Sequence, residues 1–136
     1  MISAKGPQHG GRLPGLTVQR EVPTIALHAR LIGTLEIDPS TNCLVVRMAV
    51  GTVVRTGDRL VSVGDRLVDV DVAWPPRWSV AIRDGEVALV DATGQTAARL
   101  GDEVDVGGGF VDTAAMHVVS CTGQDRIFQA SGLSES

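Results

Sequence analysis

The chain has 136 residues, 43% of them hydrophobic, which suits one domain with its own core and excludes a chain that stays unfolded throughout. Aromatic residues make up only 3% and the net charge is −4, which argues against nucleic acid for want of stacking platforms and clustered cations. No stretch has the apolar length of a membrane span.

Residues 1–23 hold Gly6, Pro7, Gly10, Gly11, Pro14, Gly15 and Pro23 with little periodicity, and read as a disordered arm. The first residues lack the apolar run of a secretory signal, and Cys43 and Cys121 are too few for a disulfide framework. Both point to the cytoplasm, with an exported form as the alternative. Residues 131–136 read as a frayed tail, leaving 24–130 as the domain.

The aromatics are Trp74, Trp78, Phe110 and Phe128, so the core has to be built from Val, Leu, Ile and Ala. Val is stiff at χ1 and packs well on a pleated surface, so strands are expected. Ile25, Leu27, Ala29 and Leu31 alternate with polar or small neighbours, and Leu35 and Ile37 resume the pattern after Gly33, a bulge or bend. A turn at 38–42 leads to a second strand over 43–48. Then Gly57-Asp58-Arg59-Leu60-Val61 and Gly64-Asp65-Arg66-Leu67-Val68 nearly repeat each other, each reading as a turn followed by a strand.

Strands 78–82 and 86–90 flank Arg83-Asp84-Gly85, a tight-hairpin sequence. Strands 96–100 and 103–106 follow, then Gly107-Gly108-Gly109 as a bend or a place where backbones approach closely. A helical turn capped by Asp112 over 112–116 precedes a closing hairpin of 117–120 and 126–130. Short strands roughly every ten residues with Gly-rich turns indicate an all-β fold. A small, partly open β-barrel (OB-like) is expected, with a β-sandwich as the alternative.

No catalytic constellation is legible. Asp91-Ala92-Thr93-Gly94 lacks the contiguous Asp-Thr/Ser-Gly of an aspartic protease, and the triple glycine opens no helix and has no Walker lysine, so no cofactor is expected. Cys43, Cys121, His28 and His117 lack the close spacing of a structural zinc site. The two cysteines read first as small buried side chains, with a Cys43–Cys121 disulfide as an alternative. Asp69 and Asp71 share a strand face and are candidate metal or acid–base residues. Alternation offers a simpler reading, with Val68, Val70 and Val72 inward and both aspartates in water.

Trp74-Pro75-Pro76-Arg77-Trp78 is the segment richest in information. Two prolines cannot donate to a central ladder, so an edge or crossover is expected. The flanking Trp74 and Trp78 either plug the barrel end or form a rim that binds a protein or small ligand.

Cys43-Leu44-Val45-Val46, Trp74-Pro75-Pro76, Gly94-Gln95, Ala98-Arg99-Leu100-Gly101-Asp102-Glu103-Val104, Gly107-Gly108-Gly109 and Cys121 occur in an order that resembles a set of uncharacterised small β proteins of high-GC Gram-positive bacteria. The resemblance covers about residues 31–130, is interrupted by a longer stretch between Val50 and Val72, and implies no activity. It implies that some relatives are exported, which favours the disulfide.

The function expected is a non-enzymatic binding or interaction module using Trp74, Pro75, Pro76 and Trp78 or an edge strand. A small metal-dependent enzyme using Asp69 and Asp71 is one alternative, and a structural self-assembling protein another. The expected state is a monomer or weak homo-oligomer with no nucleic-acid or membrane partner.

Overall fold

Valine-rich alternation and Gly-Asp turns build ten strands and one helical turn in the computed structural model, which describes residues 13–22 and 27–133. The strands are β1 (Thr17–Val18), β2 (Ala29–Asp38), β3 (Cys43–Thr56), β4 (Arg59–Val70), β5 (Val72–Trp74), β6 (Ser79–Arg83), β7 (Glu86–Val90), β8 (Thr96–Arg99), β9 (Glu103–Asp112) and β10 (Arg126–Leu133). The helical turn α1 spans Thr113–Met116. Seven strands form one curled half-barrel sheet in the order β1-β5-β10-β9-β2-β3-β4, and β6-β7-β8 form a second. The fold is all-β and partly barrel-like, as the residue pattern predicts.

Leu31, Leu35, Leu44, Val46, Val72, Val106 and Phe128 of the large sheet meet Val87, Leu89 and Ala98 of the small one in a single core. Asp84 and Gly85 both have positive φ, which lets Arg83 and Glu86 close the β6–β7 hairpin with a twist that matches the strands.

Several expectations are corrected. Of the arm expected over 1–23, residues 1–12 and 23 lie outside the described residues, but 13–22 belongs to the domain. Gly15 bridges to Cys43 of β3 while Thr17 and Val18 pair with Ala73 and Trp74 of β5. This segment therefore joins one edge of the curled sheet to β3. Its glycine is required there, because a Cβ on Gly15 would lie 2.5 Å from Cys121 Sγ. Thr24 to Ala26, the expected start of the first strand, also lie outside the described residues. The frayed tail begins later than expected, since β10 runs to Leu133, and 134–136 lie outside the described residues.

Of the two readings of Gly107-Gly108-Gly109, a bend or close backbone approach, the second holds, since the three residues form the middle of β9. Glycine serves close approach there: a Cβ on Gly108 would sit 1.8 Å from the Gln129 carbonyl oxygen. Likewise β2 passes Gly33 without interruption. Only the first Gly-Asp copy is a turn; Gly64-Asp65 lies inside β4 beside a register shift, because the 14-residue β3 supplies ladder partners for one long strand. Residues 117–120 are not a strand: His117, in the left-handed region at φ 56, ends α1 and opens a loop.

Candidate functional site

Trp74 is fully buried and stacks on Trp78, with ring centroids 5.5 Å apart and planes within 10°. The pair plugs one end of the core, so Trp74 is withdrawn from any ligand, and Pro75 and Pro76 are half-buried. The Trp74 Nε1 donor is buried without a partner, and no contact explains it. Trp78 alone of the expected rim reaches a groove.

The two aspartates part company. Asp69 holds Arg47 through two hydrogen bonds, Nε to Oδ1 at 2.7 Å and Nη2 to Oδ2 at 3.1 Å. Asp71 is completely buried, which corrects the expectation that both aspartates stay in water. Alternation does place it on the outer face, opposite Val70 and Val72. At this end of the barrel, however, that face is roofed by β1 and the loop after α1. Oδ2 of Asp71 accepts hydrogen bonds from Thr17 Oγ1 (3.0 Å), Thr122 Oγ1 (3.2 Å) and Ser120 Oγ. Gln124 ties the loop to the same junction, its Nε2 donating to the Asp69 carbonyl at 3.2 Å and its Oε1 accepting from Asp71 N at 3.3 Å. Asp71 Oδ1 has no partner. The cluster binds three chain segments together and is closed to solvent, so it serves the fold.

Cys43 and Cys121 form a disulfide across 78 residues, beside Gly15 and the Asp71 cluster. They are therefore not the free buried thiols first expected. Among the described residues, no three His, Cys, Asp or Glu side chains come together as metal ligands.

Among the described residues a cavity of about 410 Å³ lies between Gln19, Leu27 and Met116, and two larger surfaces are open. The first is a groove of about 800 Å³ between the sheets, where Ile32, Trp78, Val104 and Leu133 form apolar lining and Asp91, Asp102, Glu103 and Asp105 supply charge. The Thr93 hydroxyl, helped by backbone N–H groups, holds the Asp91 carboxyl below its ordinary range. Arg30, which donates to both oxygens of Asp105, does the same for that residue. Asp102 accepts from Arg99 N at 2.9 Å.

The second is an arm. Beyond Arg47, the last β3 residue that pairs with β2, β3 pairs only with β4 as far as Thr56 and Arg59. Opposite residues of an antiparallel ladder share a face, and faces alternate along the strand. The core-facing pairs Val46–Val70 and Met48–Val68 therefore continue as Val50–Arg66, Val54–Val61 and Thr56–Arg59. The apolar stripe runs out of the core and onto the ribbon, where Val54 is 45% and Val61 41% exposed. On the other face Leu60 is 66% and Leu67 69% exposed.

The legible sign of this arm was the near-repeat itself, a valine-rich alternation longer than any core-spanning strand needs. Its exposure was not legible. Comparison with protein-family models, curated proteins and solved structures finds no match to this chain.

Proposed function

We propose that this chain is a non-enzymatic protein-interaction module and that the β3–β4 arm is its contact surface. The observation that carries the reading is the core-facing stripe continuing past the core, onto Val54 and Val61, with neither sheet over it. A two-stranded ribbon alone is marginally stable in water, and exposed contiguous apolar surface marks a contact site. The arm is also one edge of the seven-stranded sheet, so β4 offers unpaired backbone groups along its outer side.

The enzyme alternative loses its support, because Asp69 is committed to Arg47 and Asp71 to three hydroxyls. Among the described residues, no helix is long and apolar enough to cross a membrane. The disulfide favours an oxidising compartment over the cytoplasm.

Excision tests the reading. Residues 51–65 are replaced by Asn-Gly, which leaves Val50 opposite Arg66 and closes the ribbon near its root with a two-residue hairpin turn. The shortened chain should keep its far-ultraviolet spectrum and cooperative unfolding while binding less of an apolar-surface dye. Loss of folding would make the arm part of the framework and overturn the reading.

A further inference from the structure

We propose that the arm of one copy seats in the acidic groove of a second copy of this chain. The proposal rests on the arm being the contact surface and names its occupant by charge. The core-side face of the arm presents Arg59 and Arg66 around Val50, Val54 and Val61, with no carboxylate among its strand positions. The groove offers the complement, an apolar lining that includes Trp78 beside the carboxylates of Asp91, Asp102 and Glu103, Asp105 being already held by Arg30.

The contrast in sign is local. Between Ala49 and Leu67 the chain has Arg55, Arg59 and Arg66 against Asp58 and Asp65, while the whole chain carries −4. An acidic protein with one basic apolar projection and one acidic apolar groove is complementary to itself. Reciprocal arm-to-groove exchange about a two-fold axis makes the contact isologous and closes it as a dimer. Ion pairs at the rim of such a contact are screened by salt, so association weakens as ionic strength rises.

Sedimentation velocity on the full chain, over a roughly hundredfold range of concentration and at low and high salt, tests this directly. Concentration-dependent association that falls by about tenfold or more at high salt is expected. The double variant Arg59→Glu/Arg66→Glu and the single variant Glu103→Lys, both at exposed positions, should each be monomeric with an unfolding transition like that of the parent. Mixing the two variants should restore association, because the unaltered arm of Glu103→Lys then meets the unaltered groove of the double variant. Tryptophan emission should shift on association, since Trp78 lines the groove.

A parent chain that stays monomeric throughout would overturn the proposal, as would variants that associate like the parent. Association lost on excising the arm but indifferent to Glu103→Lys would also sink the groove as the seat, while leaving the arm as the contact surface. Association unaffected by excision would remove both.

Discussion

Asp71 carries more structural consequence than any other single polar residue described here. Its carboxylate is the shared acceptor for hydroxyls from β1 and from the loop after α1. Removing a buried charged acceptor leaves its donors unpaired and without water. Asp71→Ala should therefore cost about 3 kcal/mol in chemical denaturation, whereas Ser120→Ala, which removes one of three hydroxyl donors, should cost about 1 kcal/mol. Equal losses for the two variants would mean that the cluster acts by packing alone.

Asp91 and Asp105 govern the response to acid at the same scale. Both are held below the ordinary carboxylate range, Asp91 by the Thr93 hydroxyl and Asp105 by Arg30. A carboxylate depressed in the folded state stabilises it fully above the unfolded value of about 3.9, and that contribution is lost as pH falls through the folded value. Thermal stability should thus decline below about pH 4, and Asp91→Asn should flatten the decline. An unchanged profile in that variant would show that the turn titrates without consequence.

Among elements, β3 and β4 are the exceptional pair. The first part of β3 is core on both faces, Cys43 and Val45 as well as Leu44 and Val46 being buried, and Gly15 pairs along its edge. Past Met48 neither face is covered to that extent, and the same alternating grammar produces exposed apolar side chains. Leu60→Ser and Leu67→Ser should therefore shift the unfolding midpoint by no more than about 0.5 kcal/mol, the range for surface changes. Val46→Ala, on the same ladder but buried, should cost about 2 kcal/mol. Similar losses at all three positions would place Leu60 and Leu67 in the folded core.

For the whole molecule, closure is the decisive step. The curled sheet is linked through Gly15 from its β5 side to β3, and the Cys43–Cys121 bond fastens the roofing loop beside that link. A cross-link spanning 78 residues restricts the unfolded chain over more than half its length. In the chain-entropy account such a loop is worth about 4 kcal/mol, so Cys43→Ser/Cys121→Ser should lower the unfolding midpoint by roughly 15 °C. A midpoint unchanged by reduction or by the double variant would show that noncovalent contacts alone hold the closure.

The sequence by itself determined the class of fold and most strand positions, because two-residue alternation and Gly-Asp turns are local rules of backbone geometry. The hairpin at Asp84-Gly85 and the buried Val70 and Val72 follow from them. Those rules state which side a residue faces and are silent on what lies against that side. Only tertiary structure roofed Asp71, buried Trp74, made Gly15 part of the barrel and left Val54 and Val61 bare. Each of those outcomes depends on segments far apart in sequence, whose approach no local pattern encodes.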